Sequence, residues 1–235
     1  MQLHKFITER PTLFLEFNFT IMKIKTFEFN PIAENTYILY DDTKECVIID
    51  AGAFYQDEKQ ELLDFILDNN LIVKHLLNTH LHFDHVFGNS FILEQFHLQT
   101  KAHQADEFLL EGMPAQMRMF GFPNAESAPA IGTYIKEGDT IEFGNQKLII
   151  LEVPGHSPGS VAFYSEKGNC VIVGDALFRG SIGRTDLARG NQEQLLEAIR
   201  QKLFTLPPDT IVYPGHGPAT TIKEEMRSNP FFAGR

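Results

Sequence analysis

A chain of 235 residues with 43% hydrophobic and 22% charged side chains has a globular composition and the length for one sizeable domain. Its formal net charge of −11 argues against binding to nucleic-acid backbones, and no apolar run approaches the ~20 residues that a membrane-spanning helix needs. Two isolated cysteines, Cys46 and Cys170, fit no C-x-x-C zinc or redox pattern and predict buried free thiols in a reducing, cytoplasmic setting.

Taken in chain order, residues 1–21 hold an apolar stretch that Glu16 and Asn18 interrupt, with no small-residue cleavage site after it. They read as a poorly ordered extension rather than a signal peptide. Regular patterning starts at Met22, which assigns residues 22–235 to the folded domain. Alternation and short apolar runs predict strands over 23–29, 35–40, 46–50 and 72–78. A helix is predicted over 56–69, where Leu62, Leu63, Phe65, Ile66 and Leu67 fall broadly on one side, and a second over 87–96. The segment 104–137, rich in Met113, Met117, Met119, Phe120 and Phe122, reads as a flexible cover over a cleft, with helix packing or a dimer contact as the other reading. Further strands are predicted over 147–153, 161–164, 170–174 and 210–213, with a helix over 191–204. Strands and helices mixed throughout predict an α/β protein whose sheets are covered by helices.

The unusual residues fall at the ends of these apolar runs: Asp50, His80, His156, Asp175 and His216. Loops at the carboxyl ends of strands are the usual place for a site in α/β folds. The densest group is Thr79-His-Leu-His-Phe-Asp-His85, and a single metal ion cannot use all of His80, His82, Asp84 and His85 in so tight a loop. Of the nine histidines, His4, His75, His97 and His103 lack such a setting. Imidazole with carboxylate suits two divalent ions, Zn2+ first and Fe or Mn as alternatives. His80 and His82 alternate, so an extended backbone points both to one side, where His156 completes a three-nitrogen face. Asp84, His85 and His216 make a second set, and Asp175 is the natural bridge. Two ions ~3.5–4 Å apart can share one activated hydroxide. Asp84 lies beside that nucleophile and is the candidate catalytic proton acceptor. Glycine before His156 and His216 lets the backbone turn sharply.

Together with Pro154-Gly-His156, Gly174-Asp175 and Pro214-Gly-His216, the histidine run resembles the metallo-β-lactamase-fold hydrolases over about residues 22–220. The resemblance implies an αβ/βα four-layer sandwich with the metals at one edge between two sheets. It also implies that Asp50 supports the histidine loop from behind, a plain strand-end turn being the other reading. The run from Gly174 to Asp186 is similar to the matching loop of short bacterial glyoxalase II-type thioesterases. That implies hydrolysis of a glutathione thioester such as S-lactoylglutathione, a small-molecule substrate. Arg184 stands where longer relatives carry a glutathione-binding lysine, so Arg179 and Arg184 are candidate substrate contacts. The other reading pairs Arg184 with Asp186 or Asp139 to stiffen the loop. Only residues 217–235 follow His216, too few for the helical domain with which glyoxalase II grips glutathione. Persulfide dioxygenases share the fold and the Gly-Arg-Thr-Asp run, so one iron held by His80, His156 and Asp175 is the alternative. A β-lactamase on the same scaffold is a third reading. The sequence sets no oligomeric state.

Overall fold

A computed structural model describes residues 21–122 and 127–232 of the chain. The extension expected over residues 1–21 thus lies outside the described residues, apart from Ile21. In the first half, β1 (Lys23–Phe29), β2 (Glu34–Tyr40) and β3 (Glu45–Ile49) form an antiparallel meander, followed by α1 (Gln56–Asp68) and β4 (Ile72–Leu77). Next come α2 (Asn89–Phe96), β5 (Thr100–Ala102), α3 (Glu107–Met119) and β6 (Thr133–Tyr134). The six strands make one sheet in the order β1-β2-β3-β4-β5-β6, parallel from β3 onward.

The second half begins with β7 (Thr140–Phe143), β8 (Gln146–Glu152), β9 (Val161–Ser165) and β10 (Cys170–Gly174). A small hairpin, β11 (Leu177–Phe178) and β12 (Ser181–Ile182), precedes α4 (Gln192–Ala198), which runs on into a π-helical turn over Ile199–Leu203. The chain then adds β13 (Ile211–Pro214), β14 (Thr220–Thr221) and α5 (Ile222–Ser228). This second sheet has the order β14-β13-β10-β9-β8-β7.

Strand periodicity builds the layers. In β3, Val47 and Ile49 face the second sheet, where they pack with Leu148, Ile150, Phe163 and Ile172. Cys46 and Ile48 face the other way, against Leu62 and Ile66 of α1 and Ile92 of α2. In β10, Cys170 and Ile172 point inward while Val171 and Val173 meet Leu195, Ile199, Leu203 and Ile222. Both faces of both sheets are therefore apolar, and the result is the expected helix–sheet–sheet–helix sandwich. The two cysteines are free, sit in different layers, and burial pushes both thiols up to about 12.

Within residues 104–137, read either as a flexible cover or as helix packing or a dimer contact, α3 takes Glu107–Met119. Leu109, Met113 and Met117 of α3 are buried against Leu81, Phe83, Val86 and Phe87 of the histidine loop. The methionines thus fill a satellite core directly behind the site. No helix among the described residues is long and apolar enough to cross a membrane.

Candidate metal centre

Each functional side chain leaves the end of a strand at the same edge of the sandwich. His80 and His82 follow β4, and Asp84 and His85 lie in a single 3-10 turn, Phe83–His85. His156 lies in the β8–β9 loop, Asp175 just after β10 and His216 just after β13. Two backbone positions permit this convergence. Gly155 has φ of 135°, a conformation L side chains avoid. A Cβ on Gly215 would collide with Asp175 Oδ1 and the His85 ring.

The convergence is tight and has two centres. His82 Nδ1 and His156 Nε2 are 2.8 Å apart, and His80 Nε2 is 3.3 Å from His156 Nε2. Asp84, His85 and His216 form a second group with one donor atom each, within 4.8 Å of one another. Asp84 Oδ2 is 3.2 Å from His216 Nε2 and 3.7 Å from His85 Nε2. Asp175 reaches both groups: Oδ1 is 3.5 Å from His85 Nε2, and Oδ2 is 3.6 Å from His156 Nε2 and 3.7 Å from His216 Nε2.

Outer hydrogen bonds fix which imidazole nitrogen faces inward. His156 Nδ1 donates to the carbonyl oxygen of Arg184 at 2.7 Å, and His216 Nδ1 faces the carbonyl oxygens of Ile32 and Ala33 at 3.2 and 3.1 Å. A carbonyl only accepts, so both rings keep a proton on Nδ1 and turn Nε2 toward the centre. His80 Nδ1 meets Thr79 Oγ1, whose own hydrogen goes to Asp50 Oδ2, and His85 Nδ1 meets Asp50 Oδ2 at 3.1 Å. Lone pairs at such separations repel unless a cation takes them. His85 Nε2 and Asp175 Oδ1 are buried and have no hydrogen-bond partner. This donor set fits divalent metal ions.

Electrostatics agree with that fit. Burial and the neighbouring imidazoles drive His80 well below its ordinary value, and burial with His156 beside it pushes His82 down to about 3. Burial alone would lower His85, but Asp84, Asp175 and Asp50 outweigh it and hold it well above the usual range. Burial opposes ionisation of Asp84 and Asp175, yet the histidines around them win and depress both carboxyls.

Several supporting residues were not legible in the sequence. Asp50 was singled out, and its carboxylate accepts from Thr79 N at 2.7 Å, from Thr79 Oγ1 at 2.6 Å and from His85. Its φ of 53° is the left-handed conformation that Asp tolerates better than most residues. Asp106, fully buried, was missed. It accepts from Ser157 Oγ at 2.6 Å, Gly159 N at 2.6 Å and Leu81 N at 3.3 Å, and so ties the His80–His82 segment to the His156 loop. Glu34, also missed, is fully buried 3.8 Å from His85 Nδ1, and burial raises its carboxyl well above the usual range. Neither residue sits in a motif, so only the fold gives it a role.

The centre opens into a cleft of about 420 Å3 that His82, Asp84, His156, Asp175 and His216 line on one side. Arg184 borders the cleft, but its Nε and Nη2 hold Asp186 Oδ1 and Oδ2 at 2.7 and 2.9 Å. Arg179 is exposed and is not among the lining residues.

Comparisons with known proteins agree with the geometry. The profile of the metallo-beta-lactamase superfamily matches residues 30–216. A hydroxyacylglutathione hydrolase, GloC, of Haemophilus influenzae is 36% identical over 211 residues, covering 89% of this chain and 98% of that relative. The crystal structure of BLEG-1 B3 metallo-beta-lactamase superposes with a TM-score of 0.83 at 35% identity, over 90% of this chain and all of that one (100%). The TTHA1623 protein in a di-iron-bound form gives 0.79 at 38% identity, over 88% and 99%. ETHE1 from Myxococcus xanthus gives 0.73 at 28% identity, over 91% and 85%. With its motif residues gathered at one edge of a four-layer sandwich, the chain belongs to the metallo-beta-lactamase superfamily.

Proposed function

We propose that the protein is a metal-dependent thioester hydrolase, with glutathione thioesters such as S-lactoylglutathione as its reference substrates. The observation that carries this reading is Asp175, whose carboxylate reaches both histidine groups on the floor of one open cleft. His80, His82 and His156 would hold one divalent ion and Asp84, His85 and His216 a second, with Asp175 within reach of both groups. Ions so held acidify water and polarise a carbonyl oxygen.

The chain's own groups do the rest. Asp84 is kept ionised by His85 and His216, and its carboxylate lines the cleft where it can accept a proton from the attacking water. Asp50, Thr79 and the Arg184 carbonyl keep the ligand rings in one orientation, which limits reorganisation during turnover. A thiolate leaves readily, since free thiols ionise near ~8.5, so no strong side-chain acid is required. No lysine or tyrosine lines the cleft among the described residues. The relative named hydroxyacylglutathione hydrolase supports this substrate class.

The competing reading is oxidation of a glutathione persulfide at one iron held by His80, His156 and Asp175, as the ETHE1 neighbour suggests. Metal content of protein purified without added metal, measured beside thioester hydrolysis and oxygen uptake, separates them. Two ions per chain and thioester cleavage without oxygen uptake are expected. One iron with persulfide-dependent oxygen uptake overturns the proposal, as does β-lactam hydrolysis faster than that of any thioester.

A further inference from the structure

Above the metal ligands, the cleft is walled by hydrocarbon. Ile32, Phe83, Phe120, Phe178, Ile182 and Leu187 line it, brought together from five separate segments of the chain. Ile32 and Phe120 line it with 37% and 47% of their surface exposed, the kind of exposed apolar surface that marks a ligand-binding groove. A volume of about 420 Å3 with a few polar groups at one end is the form of a small-molecule pocket.

Charge is arranged differently from what a glutathione site needs. Glutathione carries two carboxylates and an ammonium group. Among the described residues lining the cleft, Arg184 is the one permanent cation, and the Nε–Nη2 edge of its guanidinium is taken up by Asp186.

A thioester has two arms attached to the reacting carbonyl. Among the described lining residues the thiol arm meets one side-chain cation, Arg184, already paired with Asp186, whereas a hydrocarbon arm meets six apolar side chains. Building on the thioesterase reading, but in place of its reference lactoyl group, we propose that the cleft binds the acyl arm and that this arm is an unsubstituted hydrocarbon chain. Selectivity then comes from acyl length, and the thiol contributes little to recognition.

The test uses full-length, metal-loaded protein and acetyl, butanoyl and hexanoyl thioesters of the neutral thiol N-acetylcysteamine. kcat/KM is expected to rise about threefold to fourfold per methylene until the cleft is filled. Butanoylglutathione should match butanoyl-N-acetylcysteamine within about threefold, since the one side-chain cation among the described lining residues, Arg184, is already paired with Asp186. The Ile32→Ala and Phe120→Ala variants, at half-exposed positions and checked for folding by thermal melting, should flatten the length series; its slope is the readout. A parallel series of non-hydrolysable thioethers, titrated by calorimetry, should show Kd tightening by a similar factor per methylene.

A flat or falling length series overturns the inference, as does S-lactoylglutathione exceeding butanoyl-N-acetylcysteamine by tenfold or more. If no thioester is cleaved at all, the thioesterase reading fails, and the thioether series then judges the cleft alone. Length-dependent binding there supports the apolar cleft, and length-independent binding refutes it.

Discussion

Asp106 Oδ2 accepts the Ser157 hydroxyl at 2.6 Å, and through that bond the loop carrying His156 is fastened to the β5–α3 corner. The same carboxylate takes the amides of Gly159 and, from the other ligand segment, Leu81. One buried side chain therefore sets the separation of His80, His82 and His156. Burial raises its carboxyl, while these donors pull the other way.

Removing that acceptor leaves buried donors without partners, each costing ~1–3 kcal/mol. Asp106→Ala should therefore lower unfolding free energy by about 3 kcal/mol, measured by urea denaturation. It should also weaken the His80–His82–His156 site, read as lost metal. Unchanged stability and full metal content would contradict the clamp.

Asp84 is both a ligand candidate and the proposed proton acceptor. Asp84→Ala should reduce bound metal and lower kcat/KM by at least ~100-fold. Metal analysis beside the rate separates the two roles. A metal-replete variant with wild-type turnover would refute both.

Metal binding should depend steeply on pH. Without metal, His85 holds its proton well above the ordinary range and His216 is also raised, because Asp84 and Asp175 face them. A proton must leave before a cation enters, so affinity rises with pH and falls as the solution is acidified. The window lies at and above the ordinary histidine range, since both shifts are upward. Competition with a chelating dye should show about one proton released per raised histidine displaced. A Kd independent of pH across neutrality would argue against these rings as ligands.

Gly215 leaves no room for a methyl group between Asp175 and His85. Gly215→Ala should displace one of them and weaken metal binding about tenfold or more, the size typical of disturbed ligand support. Titration calorimetry on the metal-free variant checks it. Gly112, where a Cβ meets nothing within 4 Å, is the control position.

Much of the architecture was legible because its signals are local. Strand β1 (Lys23–Phe29) and strand β10 (Cys170–Gly174) fall where alternation and apolar runs put them. Helix α1 ends one residue short of its expected limit, and α4 gives way to a π turn that periodicity does not foresee. Helix α3 was hidden because Gly112 and Pro114 interrupt its run, yet burial of Met113 and Met117 outweighs that local cost. Short strands such as β5 and β6 carry too few residues for any period to show.

The sequence alone named the candidate ligands, since His80, His82, Asp84, His85, His156, Asp175 and His216 stand in motifs whose chemistry is written in residue type and spacing. Tertiary structure alone decided that Asp106 and Glu34 lie behind them, that Arg184 is bound to Asp186, and that six scattered apolar side chains wall one cleft. Motifs are contiguous and survive in one dimension. Support and specificity arise between segments far apart in the chain, and only packing brings those segments into contact.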